Sequence, residues 1–331
     1  MSRINRRQIV AASMAAALAL PLAGVAGSAQ AQDWPNDIIR IIVPFPPGGS
    51  VDVLARMIQP SLQERLGQNI VIDNRGGASG SIGAAAAAGA EPDGNTWLFV
   101  FDTQAVNPSL LPNMPFDSVN DLDPVMLIGT APNVVATQTA SPFESFEQVI
   151  EQGREDAGAI SYGSIGTGSL GHLTLVLLTN EAEVELTHIP YRGGGPVVND
   201  AVAGHVDLMI GSAALVSPQV DGGNLRPLLQ TGRERHPTLQ DVPTAVELGY
   251  DIESLAWWGV FAPAGTPPEI VARFEEELRA TLQEPEIAER LTDAQKMDLV
   301  LSGPDEFRDF FAEQMETWGA VVRENDIRGD S

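Results

Sequence analysis

The sequence predicts an α/β fold built from sheets covered by helices. Three observations predict it. Four times an apolar, partly β-branched run ends in a glycine-rich turn and passes into a helical pattern, at Gly48, Gly77, Gly166 and Gly193. Residues 38–101 read as strand, helix, strand, helix, strand, an order that argues for a parallel sheet. The chain has 331 residues, of which 44% are hydrophobic. That is material for two packed cores and fits two domains better than one.

Residues 38–45 form the first buried strand, because the run is almost wholly β-branched. Ser50-Val51-Asp52 opens a helix whose Leu54, Ile58, Leu62 and Leu66 recur on one face. Pro60 inside that pattern predicts a kink or break. A strand at 69–73 leads through Gly76-Gly77-Ala78-Ser79-Gly80 into an alanine helix ending at Ala88, and 96–101 is the next strand. In the middle of the chain, strands are predicted at 133–138, 159–163, 184–190 and 205–210. The helix at 145–156 has Ser145 as its expected N-cap. Another runs from the Gly166 turn to Asn180, and Arg192-Gly193-Gly194-Gly195 opens the next. Amphipathic helices at 267–282 and 305–323 flank a short strand at 297–301. Trp257-Trp258 offers a stacking platform for a sugar or ring, but such a pair more often has one ring in the core and the other outside.

The N-terminus reads as a secretory signal over residues 1–31. Arg3, Arg6 and Arg7 precede an uncharged run from Ile9 to Ala26, then Ala29-Gln30-Ala31 supplies a small-x-small cleavage site. Asn5-Arg6-Arg7-Gln8 carries the arginine pair of twin-arginine export. Cleavage would remove three arginines and no acid, taking the net charge of −25 to −28. No later stretch reaches the roughly 18 apolar residues that span a bilayer. The expected product is a soluble exported protein. Its acidity excludes nucleic acid as a partner, and the absence of cysteine excludes disulfides, thiolate metal sites and cysteine nucleophiles.

Glycine-rich turns at the carboxyl ends of strands are where open α/β sheets bind ligands. Each following helix offers unpaired N–H groups and a partial positive charge. Four such turns favour an anion site made of neutral donors. A side chain at Gly49 is expected to block approach or strain the backbone. Gly166-Thr167-Gly168-Ser169-Leu170-Gly171 matches the dinucleotide pattern, but the acid that should end the second strand is missing, since Glu185 falls at its start. There is no Gly-x-Ser-x-Gly elbow and no metal-spaced histidine pair, so neither a metal nor a cofactor is expected.

Several blocks together resemble the Bug family, the periplasmic solute-binding proteins of tripartite tricarboxylate transporters. They are Pro44-Phe45-Pro46-Pro47-Gly48-Gly49-Ser50-Val51-Asp52, Asp73-Asn74-Arg75-Gly76-Gly77-Ala78-Ser79-Gly80, Pro92-Asp93-Gly94, the run Gly166 to Leu173, His188-Ile189-Pro190-Tyr191-Arg192-Gly193-Gly194, Asp241-Val242-Pro243-Thr244 and Ala262-Pro263-Ala264-Gly265-Thr266-Pro267. Val51, Gly76 and Asn95 depart from the family's usual threonine, proline and tyrosine. The resemblance implies a two-domain Venus-flytrap fold, each domain a sheet covered by helices with the ligand cleft between them. Domain 1 would comprise 33–133 and 235–331, and domain 2 would be 134–234. It implies ligand contacts from Pro47, Gly48, Gly49, Ser50 and Thr103 on the first domain. On the second it implies Ser164, Gly166, Thr167, Gly168, Ser169, Tyr191, Gly193 and Ser212.

The function this implies is a monomeric receptor, not an enzyme, that captures a small carboxylate and delivers it to the large and small membrane subunits of a transporter. The alternative is an exported hydrolase of a small carboxylated substrate, which would need a nucleophile, base and orienting acid converging in the cleft. A site of neutral donors should hold its affinity as salt rises. One built on Arg56, Arg75 or Arg192 should lose it.

Overall fold

The computed structural model describes residues 34–111 and 113–329; the predicted export signal lies outside them. The first β-branched run forms β1 (Ile39–Val43), with Ile39, Ile41, Ile42 and Val43 buried. Burial on both sides of a strand is the mark of a sheet covered on both faces. The turn at Gly48 and Gly49 starts α1 (Ser50–Leu66), and Leu54, Ile58, Leu62 and Leu66 make its buried face. Pro60 does not break it. The proline lies on the exposed side, and the buried face holds the helix across one missing hydrogen bond. Then follow β2 (Ile70–Asn74), α2 (Ser81–Ala88), β3 (Thr96–Phe101), α3 (Thr103–Leu110) and β4 (Leu122–Gln138). The middle contains α4 (Phe146–Glu155), β5 (Ser161–Ser164), α5 (Leu170–Ala182), β6 (Thr187–Pro190), α6 (Gly194–Ala203), β7 (Leu208–Ser212), α7 (Ala213–Asp221) and β8 (Leu225–Gln230). The chain ends with β9 (Leu255–Pro263), α8 (Pro268–Leu282), α9 (Pro285–Glu289), β10 (Asp298–Leu299) and α10 (Pro304–Glu324).

The parallel order predicted over 38–101 is present, and the sheet as a whole is mixed. β1 lies between β2 and β3, and β5 between β6 and β7, all parallel. β9 and β4 join these groups and run antiparallel to their neighbours. β9 arrives by the long connection from Gln230 to Leu255 rather than by a strand–helix–strand crossover, so nothing forces it parallel. The strand order is β2-β1-β3-β9-β4-β7-β5-β6, with β8 and β10 also on β4. Ser145 holds the N-cap position of α4, but its side chain makes no cap. Gln148 Oε1 instead accepts from the Glu144 N–H at 2.8 Å.

Two apolar cores follow from this order. In the first, Trp257, Phe261, Phe307 and Phe311 pack with Ile42, Leu98 and Leu127. In the second, Phe146, Tyr162, Leu175, Leu178, Leu229, Ala245 and Ile252 pack together. Both rings of Trp257-Trp258 are fully buried, against expectation. Adjacent strand residues face opposite sides of a sheet, and here both sides are covered. Trp257 packs on Phe307, while Trp258 lies edge-on to Phe101 at 5.1 Å.

β4 belongs to both halves. Its Leu122–Pro132 portion pairs with β9, and from Asn133 onward it pairs with β7 and β8. At the changeover, Thr231 Oγ1 accepts from the Asn133 N–H at 2.9 Å and donates to the Ser254 carbonyl. The Thr231 N–H returns to the Asn133 carbonyl at 3.0 Å. Thr174 on α5 donates to Ser254 Oγ at 2.7 Å. All four residues are buried. Thr231→Val keeps the shape and removes the hydroxyl, leaving the buried Asn133 N–H without its side-chain partner. It should cost about 1–3 kcal/mol of stability in chemical denaturation, because an unsatisfied buried polar group loses its full desolvation penalty.

Candidate functional site

Two of the four glycine turns face each other where the halves meet, and they enclose a pocket of about 600 Å³ counting its open mouth. The first half contributes Phe45, Pro46, Pro47, Gly49, Ser50, Val51 and Phe101. The second contributes Ile165, Arg192, Gly193, Gly194, Gly195, Pro196, Ser212 and Leu215. The halves come close here: a Cβ added to Gly193 would lie 3.7 Å from Pro46 Cδ. Gly49, Gly193 and Ser212 are the N-caps of α1, α6 and α7, and none of these helices has a side-chain cap. Three sets of first-turn N–H groups therefore lie at one pocket without an intrahelical partner. Each brings the positive end of a helix dipole.

The polar side chains on the wall are Ser50, Ser212 and Arg192; no aspartate or glutamate lines it. Arg192 is exposed and, among the described residues, has no ion-pair or hydrogen-bond partner. The other two arginines considered from sequence are committed elsewhere. Arg56 pairs with Asp52 and Arg75 with Asp73, each at 2.9 Å. The remaining side chains on the wall are apolar, and Phe45 meets Phe101 edge-on at 6.4 Å.

A buried carboxylate shapes the first loop. Asp52 accepts from the Gly48 N–H at 2.9 Å, from Arg56 Nε at 2.9 Å and from Asn74 Nδ2 at 2.9 Å. Asn74 also donates to the Phe45 carbonyl at 3.0 Å. Burial raises the Asp52 carboxyl, but donation from Arg56, Gly48 and Asn74 outweighs it, so the group sits below its ordinary value. The Gly48 N–H is thus spent on holding the loop. Gly48 has φ +86°, a conformation that favours glycine. Gly49 corrects the expected strain: its φ is −75°, open to any residue, and an added Cβ would meet only the Pro46 carbonyl at 3.6 Å.

The other two glycine turns clasp each other beside this pocket without lining it. Ser79 Oγ donates to the Thr167 carbonyl at 3.3 Å, and a Cβ on Gly168 would collide with Leu110 Cδ2. Ser164 is fully buried and donates to the Gly166 carbonyl at 3.0 Å. His188 Nε2 lies 2.7 Å from the same hydroxyl, the donor in that pair being set by the histidine tautomer. The Gly168 N–H donates to His172 Nδ1 at 3.1 Å. The His172 ring stacks on His188 at 3.9 Å, and burial, with His188 beside it, pushes its pKa down to about 3. Ser169 Oγ accepts from the His172 N–H and caps α5.

Of the residues expected to bind ligand, Pro47, Gly49, Ser50, Gly193 and Ser212 line the pocket, whereas Gly48, Thr103, Ser164, Gly166, Thr167, Gly168, Ser169 and Tyr191 do not. Thr103 is buried at the start of α3. The Tyr191 hydroxyl donates to Asp200 at 2.7 Å, and burial with that carboxylate beside it pushes its pKa up to about 12. Sequence reasoning missed Phe45, Phe101, Ile165 and Leu215, whose apolar character reads as core.

The fold and this interlobe pocket define a class, the two-domain periplasmic-binding-protein fold of solute receptors. The chain belongs to the family described as "Tripartite tricarboxylate transporter family receptor", which residues 54–327 match. It is 36% identical to protein BugT of Bordetella pertussis over 305 residues, covering 91% of this chain and 93% of that one. It is similar to the R. palustris protein Rpa4515, solved with adipate: TM-score 0.85, 32% identity, covering 89% of this chain and 99% of that one. MatC of Rhodopseudomonas palustris, solved with malate, gives a TM-score of 0.82 and 28% identity over 87% of this chain and all of that one. The chain is accordingly a solute-binding receptor and not an enzyme, and the hydrolase alternative finds no support.

Asp52→Asn should leave the fold intact and weaken the protection of the Gly48 amide against hydrogen exchange. The loss of stability should be about 1 kcal/mol at neutral pH, given that Arg56 is half exposed. Because the Asp52 pKa is depressed, its contribution is complete above the ordinary carboxyl range and is lost as pH falls through the lowered value. Thermal unfolding of the two proteins should therefore converge in acid.

Proposed function

We propose that this receptor is exported to the periplasm and closes its two halves on a small carboxylate, which it hands as a monomer to the large and small membrane subunits of a tripartite carboxylate transporter. The carrying observation is the pocket's chemistry: three uncapped helix N-termini, two hydroxyls, one uncommitted guanidinium and no acid on the wall. That set suits an anion. The apolar remainder suits a short hydrocarbon body. The adipate in Rpa4515 and the malate in MatC support the same class of ligand. We take the first lobe as residues 35–132 with 255–329 and the second as 133–254. β4 changes partners at Asn133, Ala245 and Ile252 pack in the second core, and β9 starts at Leu255.

Net charge of −28 after cleavage repels an anionic ligand at long range. Affinity then comes from the short-range donors; salt screens the helix N-termini and hydroxyls weakly once they are desolvated, and the exposed Arg192 more strongly. Isothermal titration with adipate and with malate tests the reading. At least one should bind, and a panel of di-, tri- and monocarboxylates that gives no heat overturns it. Arg192→Gln should weaken binding of a dicarboxylate by roughly tenfold, in line with about 1.5–3 kcal/mol for a hydrogen bond to a charged group less its exposure. Its effect on a monocarboxylate of the same length should be smaller.

A further inference from the structure

Outside the pocket, the seam between the halves holds a second feature. Asp102, the residue between β3 and α3 in the first half, is 1% exposed. Its carboxyl lies against two backbone N–H groups: that of Thr103 on its own helix and that of Leu170, at the first turn of α5 in the second half. Oδ1 has no hydrogen-bond partner among the described residues. The surrounding seam is apolar, with Val106 and Leu110 of α3 meeting Leu170 and Leu173 of α5 and Trp318 of α10. A carboxyl from one half is thus sealed against a helix N-terminus of the other, and one of its oxygens is unsatisfied.

No charged neighbour compensates it. α3, β3 and β9 contain no ionisable side chain. On α5, His172 accepts from Gly168 and is held neutral, with His188 stacked beyond it. Arg323 of α10 donates to Ser109, and Arg75 near the Gly77 turn is paired with Asp73. Burial drives the Asp102 carboxyl well above the usual carboxylate range; the Leu170 and Thr103 N–H groups offset only part of this, and no charged group contributes.

We infer that Asp102 is a positioning residue, a proton-carrying latch that couples closure of the two halves, and hence ligand affinity, to pH. The inference rests on the reading that the halves open and close around a ligand. Opening hydrates the carboxyl and returns it to its ordinary value; closing strips the water away. Below the ordinary carboxyl value both forms carry the proton and affinity is flat. As pH rises from there to the raised value of the closed form, closure must take up a proton and affinity falls, by at most about tenfold per pH unit for one proton. Above that range affinity is flat again and weaker.

The test compares the wild-type chain with Asp102→Asn, which keeps an acceptor for the Leu170 N–H but carries no titrating proton. Adipate is titrated calorimetrically from about pH 5 to about pH 9, in buffers of different ionisation heat, with the variant correcting for the ligand's own titration. The wild type should bind more weakly with rising pH and take up protons on binding. Asp102→Asn should be flat and, at the alkaline end, bind more tightly than the wild type. Identical profiles, or no proton uptake by the wild type, overturn the latch. If the variant does not fold, proton uptake by the wild type decides alone. A ligand-free arm separates this inference from the carboxylate reading. The chain has no cysteine, so spin labels on Val119→Cys and Glu151→Cys, exposed positions on the two halves, report their separation alone. Acid-favoured closure there, with no binding of any carboxylate, overturns the ligand class and leaves the latch standing. A separation insensitive to pH overturns the latch whatever binds.

Discussion

The pairing of one strand with two sets of neighbours governs this molecule. β4 is 17 residues long, and each half of the protein builds its sheet on a different part of it. At the changeover, the chain between β8 and β9 is tied to β4 by a few buried hydrogen bonds among Asn133, Thr231 and Ser254. These bonds are short in reach, so they fix where the halves join without filling the space between the glycine turns. The pocket exists because the turns at Gly48 and Gly193 stand on opposite sides of that junction.

The site then works by subtraction. Many polar groups near it are satisfied internally: Asp52 takes the Gly48 N–H, His172 takes that of Gly168, and Asp200 takes the Tyr191 hydroxyl. What is left over is a small, directed set, namely the first turns of α1, α6 and α7, two hydroxyls and Arg192. In a chain with 44 acidic residues, keeping every acid off one wall is itself a specification. A negative ligand needs donors that are aimed in advance, since the protein's overall field pushes it away.

Much of this was legible in the sequence, for identifiable reasons. β1 and α1 announce themselves through β-branched continuity and the four-residue recurrence of Leu54, Ile58, Leu62 and Leu66. β9 did not, because Leu255–Pro263 alternates nothing: both faces are buried and Gly259 interrupts it, leaving no period to read. α3 was hidden by Pro108 and by a first turn of polar residues that the seam buries. Glycine turns were visible, but which of them face one another was not. That depends on the partner change in β4, a long-range fact with no local signature. For the same reason Gly166 to Ser169 looked equivalent to Gly48 and Gly193, although its donors are turned inward by His172 and His188. Asp102 looked like one acid among many until burial singled it out.

The edge-on contact between Trp258 and Phe101 reaches further than packing. Phe101 forms part of the pocket wall, and Trp258 stands directly behind it, fully buried, with an indole N–H that meets no acceptor among the described residues. An indole in such dry surroundings emits at short wavelength and is sensitive to any water or charge arriving nearby. The receptor therefore carries its own optical gauge: an occupant pressing on Phe101 alters the surroundings of a chromophore it never touches, and filling of the pocket can be followed by light in the unmodified chain.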